Sequence, residues 1–409
     1  MIQMSDAGAT VPTMPLCDRL IICIASSWDI DPTSKHQVMR ILSQTNDVLW
    51  VNYHGSRRPS LNRKDARSAF GALRRVVSGL KPIHERMSQL TPLVIPGARD
   101  PRVRRLNERL VVSQIKRAVR SMKKPNQPVQ LWTFAPDVDF LAGRFDEERF
   151  VYYCVDDFAA FEGFDAEAID AAETRLLKRS DVVLATSKPL LVKCQRSHSN
   201  VHLVRHGVDH GHFASALGHP APPEELREIP RPIAGFVGLI DHWFDTQLMS
   251  AVAERMPDVS FVLIGDVRVD LGRLADLPNV HLLGRKSYTE LPKYLATFDV
   301  GLIPFVRNQL TESVNPIKLR EYLAAGLPVV STDLPEVRRY EEVVSLADVP
   351  EAFAHWCRSA IDSNSIEARQ RRSESMAEES WHSVTERLCD IVMASSTQAF
   401  DPQICLTPQ

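Results

Sequence analysis

Between Asp299 and Asp333 the chain reads DVGLIPFVRNQLTESVNPIKLREYLAAGLPVVSTD, two apolar runs around a polar turn and an amphipathic stretch. Asn315 and Pro316 are the residue types of a helix start. Asn can cap open amides, and Pro fits the first helical position because its missing N–H would be unpaired there. A helix that begins just after a parallel strand turns bare N–H groups and a positive dipole end towards the sheet's C-terminal edge. Open α/β folds bind ligands at that edge, and a phosphate is the natural guest. Lys318 in the first turn can neutralise a phosphate. Glu321, three residues on and on roughly the same face, can accept both hydroxyls of a ribose. The same residues would equally make an ordinary capped helix with a surface Lys–Glu pair. A second candidate is Asp156-Asp157, at the end of the run Phe150–Val155. Adjacent carboxylates at a strand's C-terminal end can raise one partner's pKa and yield a general base. The alternative there is a helix cap beside a solvated acid.

Other patterns carry less. His198, His202, His206, His210 and His212 crowd together, but no carboxylate or cysteine spacing supports a metal site, and none is expected. The triplets Asp29–Asp31 and Asp137–Asp139 are no more than chance gives, and neither a G-x-G-x-x-G fingerprint nor a P-loop occurs. The seven cysteines form no C-x-x-C pair and read as thiols in a reducing compartment.

The elements that must position these residues follow from periodicity. Short apolar runs alternate with longer amphipathic stretches, the pattern of parallel sheets with helices on both faces. Strands are expected at Leu20–Ala25, Val48–Tyr53, Leu93–Pro96, Gln130–Phe134, Phe150–Val155, Val182–Thr186 and Val201–Arg205, with helices at Ala69–Leu80 and Arg102–Met122. Leu217–Pro232 holds five prolines in sixteen residues and reads as a stiff linker. Beyond it, strands are expected at Ile233–Gly238, Phe261–Gly265, Val280–Leu283, Asp299–Pro304 and Pro328–Ser331. Helices are expected at Asp245–Met256, Leu291–Thr297, Ile317–Ala325, Val349–Asp362 and Trp381–Met393. The expected organisation is a disordered stretch 1–15, an α/β domain 16–216, the linker 217–232, a second α/β domain 233–377 and a closing helix with a tail 378–409. A chain of 409 residues has room for two such cores.

The formal charge of −2 hides an asymmetry: residues 57–124 hold 19 Lys and Arg against four acids. In the helix 102–122 the apolar stripe would turn inward and leave Arg104, Arg105, Arg109, Lys116, Arg117 and Arg120 outside, with Lys123 and Lys124 extending the patch. Such a surface suits anionic lipid head groups better than nucleic acid, because aromatic residues are not interleaved with the charge. No apolar run approaches the roughly 20 residues of a membrane span, and no secretory signal is evident, so a cytoplasmic protein, peripheral on the inner face of the membrane, is expected.

Several segments in the right order resemble one family. Asp299–Pro304 (DVGLIP) with Lys318–Val330 (KLREYLAAGLPVV) resembles the nucleotide-binding segment of GT-B glycosyltransferases, in particular the GT4-like group. Asn279–Thr297 is similar to the strand-loop-helix beside the base. Arg205–Phe213 (RHGVDHGHF) resembles a signature before the linker, and Trp381–Leu388 the helix that crosses back onto the first domain. The resemblance implies two Rossmann-like, doubly wound domains facing each other across a cleft. It also implies transfer of a sugar from a nucleotide-diphosphate sugar, UDP favoured over GDP, to a hydroxyl without a metal. The acceptor would be a saccharide or lipid-linked glycan in cell-surface polysaccharide biosynthesis. By resemblance, Glu321 takes the second position of a Glu-x7-Glu donor pair, and the first falls on Ser313, beside Glu312 and Val314. The family's diphosphate-binding Arg and Lys are missing after Gly238, where Lys318 with Arg307 or Arg285 would supply charge from the other side. Asp156 or Asp157 would stand where a catalytic group lies, and Trp28 and His36 in the acceptor loop. A nucleotide-sugar 2-epimerase and a non-catalytic nucleotide-sugar-binding subunit are the alternatives.

Overall fold

A computed structural model describes residues 14–30, 32–53, 79–95 and 100–394. The first domain runs β1 (Leu20–Ala25), α1 (Ser34–Leu42), β2 (Asp47–Asn52), β3 (Lys81–His84), β4 (Met87–Leu90), α2 (Pro101–Met122), β5 (Val129–Thr133), β6 (Glu147–Cys154), α3 (Ala166–Leu177), β7 (Val182–Ala185), α4 (Lys188–Gln195) and β8 (Val201–Leu203); α5 (His210–Ala214) follows and packs its Phe213 into the core of the second domain. The second runs β9 (Ile233–Val237), α6 (Thr246–Arg255), β10 (Ser260–Ile264), β11 (Val280–Leu282), α7 (Leu291–Thr297), β12 (Val300–Ile303), α8 (Gln309–Ser313), α9 (Ile317–Ala324), β13 (Val329–Ser331), β14 (Val344–Leu346), α10 (Pro350–Asp362) and α11 (Ile366–Glu374). Helix α12 (Trp381–Ala394) follows.

The first sheet has the order β3-β4-β2-β1-β5-β6-β7-β8 and the second β11-β10-β9-β12-β13-β14. Every pairing is parallel except β3 with β4. Central strands such as Leu20–Ala25 and Ile233–Val237 are buried along their whole length, as strands covered on both faces must be. Each sheet reverses its winding at the first strand of its domain, between β1 and β5 and between β9 and β12, and so leaves a crevice at the C-terminal ends of those strands.

One face of the first sheet packs on α2 through Val111, Ile115 and Val119. The other is covered by α1 and by α12, whose Trp381, Val384, Leu388 and Val392 share a core with Met14, Leu16, Val38 and Leu42. The chain's last described helix thus belongs to the core of its first domain. Of the stretch 1–15, only Met14 and Pro15 are among the described residues, and Met14 is buried. The linker span is tied to the second domain, where Leu226 enters the core.

Two expectations are corrected, and a third lies largely outside the described residues. Leu93–Ile95 is not a strand; the extra pairing comes from β3 and β4, whose sequences KPIH and MSQL lack the apolar character of a central strand. The helix expected at Ala69–Leu80 lies outside the described residues up to position 78, and Gly79 and Leu80 are not helical. Asn315 does not cap α9: Pro316 occupies the cap position, and no side chain closes that first turn.

Candidate active site between the two domains

Strand β6 delivers Asp156 and Asp157 to the C-terminal edge of the first sheet. Asp157 is buried and accepts from Lys193 Nζ at 2.6 Å. The same ammonium lies 2.8 Å from Glu173 and 3.2 Å from Asp170. Burial works against the charge on Lys193, but Glu173 and Asp157 outweigh it and hold the group above the ordinary lysine range. Asp157 Oδ2 also accepts from Gln309 Nε2 of the second domain, at 3.1 Å. Asp156 is half-buried. Burial pushes its carboxyl up to about 7, with Asp157 adding to the rise and Lys35 opposing it. The two neighbours therefore differ: Asp157 is consumed by an ion-pair cluster, whereas Asp156 changes charge near neutrality.

Facing them, α8 begins at Asn308, whose Oδ1 accepts the Thr311 N–H at 3.0 Å, and leads through Ser313, Val314 and Asn315 into α9. This segment is bonded across the cleft. Ser187 Oγ donates to the Ser313 carbonyl at 2.6 Å, and Asn315 Nδ2 donates to the Thr186 carbonyl at 2.7 Å. The Lys188 N–H donates to Glu336 at 2.8 Å, placing a carboxylate at the start of α4, where the helix dipole favours it. Asn315 Oδ1 accepts from the fully buried Arg320 at 2.7 Å, so both ends of this amide are occupied.

One turn along α9, Lys318 Nζ donates to Glu321 Oε2 at 2.6 Å. Glu321 is buried, while Lys318 keeps about a quarter of its side chain exposed, 28%. Glu321 and Asp209 add to the effect of burial on Tyr288 and raise its hydroxyl. Its ring stacks on His212 at 4.6 Å, and its hydroxyl oxygen accepts from Gln37 of α1 at 3.3 Å. Val314 is half-buried, and Ser313 is buried.

The remaining expected residues are spread more widely. Gly238 follows β9 beside Gly265, whose φ is +149° and where a Cβ would stand 1.8 Å from the Gly238 carbonyl oxygen, so the chain touches backbone to backbone past the two strand ends. Arg285 lies exposed on the loop after β11. Arg307 pairs with Asp348 at 2.9 Å and Glu312 at 3.2 Å, and with Asp245, Phe305 and Thr332 it lines a cavity of about 450 Å³. Trp28 packs against Trp50 and His36. His36 is 1% exposed, stacked on Trp50, and takes the Thr33 N–H on Nδ1 at 3.1 Å, so it is a core residue of α1 and not a cleft surface. The five crowded histidines diverge: His202 bonds Asn200, His210 Ser373 and His212 Tyr288, and His206 packs on Trp381. Among the described residues no three His, Cys, Asp or Glu side chains come together as a metal site would need.

Sequence reasoning missed Lys193, Glu173, Ser187, Gln309 and Glu336. Each acts through a partner far away in the chain, so no local spacing marks it.

Residues 231–363 match the family described as Glycosyl transferases group 1. A Bacillus subtilis (strain 168) protein, TuaH, named as a candidate teichuronic acid biosynthesis glycosyltransferase, is 28% identical over 270 residues, which are 60% of this chain and 67% of that one. Among solved structures, Anabaena HepE in complex with UDP and glucose superposes with a TM-score of 0.65 at 13% identity, over 91% of this chain and 99% of that chain. Sucrose-phosphate synthase from Thermosynechococcus elongatus gives 0.68 at 14% identity, over 92% and 98%. The solved structures share the two-sheet layout described above: the chain has the GT-B fold, and its second domain carries the segment that resembles group 1 glycosyl transferases.

Proposed function

We propose that the protein moves a sugar from a nucleotide-diphosphate sugar, UDP-linked in preference to GDP-linked, to a hydroxyl of a lipid-linked or other saccharide acceptor in cell-surface polysaccharide biosynthesis. The observation that carries this reading is the contact between the two candidate sites. Asp157 touches Gln309, on the segment that leads to Lys318 and Glu321, and next to it stands Asp156, a carboxyl that ionises near neutrality. Asp156 acts as the base that takes the acceptor's proton, and Asp157, held by Lys193, fixes its position and field. Glu321 holds the ribose. Lys318, the backbone around Ser313, Val314 and Asn315, and Gly238 line the diphosphate, with Arg285 and Arg307 as further positive charge. Trp28 borders the acceptor. No metal is required in this scheme, because ammonium, guanidinium and amide groups stabilise the leaving diphosphate.

HepE was solved with UDP and glucose, and an Escherichia coli relative with UDP-2-fluoro glucose, which supports a uridine donor. The name of TuaH supports a polysaccharide acceptor. Among the described residues no helix is long and apolar enough to cross a membrane. The protein works in the cytoplasm and meets an anionic inner membrane face through its basic region 57–124.

Calorimetric titration of UDP, GDP and ADP tests the donor assignment. UDP is expected to bind selectively, with binding lost in Glu321→Ala. Equal binding by that variant would remove the ribose contact, and no binding by any nucleotide would overturn the donor site.

A further inference from the structure

The first domain carries a surface that sugar transfer does not use. Leu93, Val94 and Ile95 lie extended beside α2 and are 41%, 50% and 40% exposed. Gln114 accepts the Leu93 N–H at 2.9 Å and donates to the Leu93 carbonyl at 3.0 Å. Asn107 accepts the Ile95 N–H at 2.7 Å and donates to the Ile95 carbonyl at 2.9 Å. Two side-chain amides two turns apart thus pin the segment as a neighbouring strand would. Its backbone polar groups are satisfied at both ends while large aliphatic side chains stay in the open.

The helix presents matching chemistry. At 100° per residue, Arg102, Leu106, Arg109, Ser113, Arg117 and Arg120 fall within about 80° of one another on its outer side. All but Leu106 and Ser113 are arginines, all six are exposed, and Leu106 is 45% exposed. Asn107 and Gln114 flank that row, so the strip 93–95 lies alongside it. The helix's one acid, Glu108, falls on the far side and pairs with Arg104 at 3.2 Å. Among the described residues, the face therefore combines four exposed aliphatic side chains, four guanidinium groups and no carboxylate.

Backbone groups already bonded can enter a low-dielectric layer without the penalty of leaving them unpaired. Guanidinium groups beside them match lipid phosphates, and stable attachment takes both an apolar and an electrostatic contribution. We infer that the outer face of α2 and the pinned strip Leu93–Ile95 form the docking surface for an anionic bilayer, the aliphatic side chains entering the acyl boundary and Arg102, Arg109, Arg117 and Arg120 meeting head-group phosphates. This rests on the membrane partner proposed above and names the face and the contacts that make it.

The test is sedimentation of the full chain with vesicles of equal parts phosphatidylglycerol and phosphatidylcholine, against vesicles of phosphatidylcholine alone. The wild type is expected on the mixed vesicles only. Val94→Asp with Leu106→Asp, and separately Arg109→Glu with Arg117→Glu, are expected to weaken that binding about tenfold or more. All four positions are exposed, so melting temperature and UDP titration are expected to stay at wild-type values. If the wild type binds and both double variants bind equally well, this face is overturned while membrane association stands through another part of the chain. If only the arginine pair matters, insertion of the aliphatic strip is overturned. If the wild type binds neither vesicle, the membrane reading falls with it, and the UDP titration judges the transferase reading independently.

Discussion

Asn315 Nδ2 donates to the Thr186 carbonyl across 2.7 Å, which makes the expected helix cap a bond between domains. Its other end is held by Arg320, whose Nε also donates to Glu379 at 2.7 Å. One buried guanidinium therefore braces the inter-domain contact against the segment that crosses back to the first domain.

Arg320→Met strips a buried charge from its partners and leaves Glu379 without its cation. Breaking a buried pair from one side costs about 3–5 kcal/mol, read as a lower midpoint in denaturant unfolding. A midpoint equal to wild type would remove the brace. Asn315→Ala is expected to be milder, about 1–3 kcal/mol, because the Thr186 carbonyl and one Arg320 N–H lose their partner while the Arg320–Glu379 pair stays in place.

Asp156→Asn and Asp157→Asn are expected to fail differently. The first removes the proposed base and should lower kcat by about 10²–10⁴-fold with little change in melting temperature. The second takes a carboxylate from Lys193 and should lower the melting temperature as well. Rates and melts on the same preparations separate the two, and identical behaviour would contradict the division of labour between them.

The rate should follow the ionisation of Asp156. Its carboxylate is the active form, so kcat/KM is expected to climb with pH and level off above about 7. Lys35 holds that pKa down, so Lys35→Met should shift the midpoint to higher pH. A midpoint that stays in place in this variant counts against Asp156 as the titrating group.

Acid sensitivity should come from two buried histidines. Burial, helped by Arg320, holds His206 at about 3, and burial, helped by Lys35, holds His36 at about 4. Both lie below the unfolded value of about 6.5. As pH falls below that value the unfolded chain takes up protons first, so stability is full above it and is lost on the way down towards the folded values. Each histidine contributes at most about 1.4 kcal/mol per pH unit. Unfolding midpoints measured at successive pH values should flatten when both are replaced by Gln.

Much of this architecture was legible because central strands of parallel sheets are apolar throughout: Leu20–Ala25, Val182–Ala185 and Val300–Ile303 announce themselves by composition. The edge strand Lys81–His84 and its neighbour Met87–Leu90 did not, since the margin of a sheet tolerates polar residues and is fixed by pairing with its partner. At the site, Lys318 and Glu321 were readable as a pair because three residues of helix bring them together. Asn315 was misread because a cap and an inter-domain donor use the same amide. His36 was misplaced because its ring is needed between Trp28 and Trp50. Lys193, which bonds Asp157, is a neighbour only in three dimensions.

The return of α12 to the first domain has a consequence for synthesis. Met14, Leu16, Val38 and Leu42 are made before the second domain, yet the side chains that cover them, Trp381 to Val392, are made after it. While the second domain is being made, one face of the first sheet lacks this cover, and the first domain closes its core only once the second has been made. Of these two domains, the one begun first is therefore completed second.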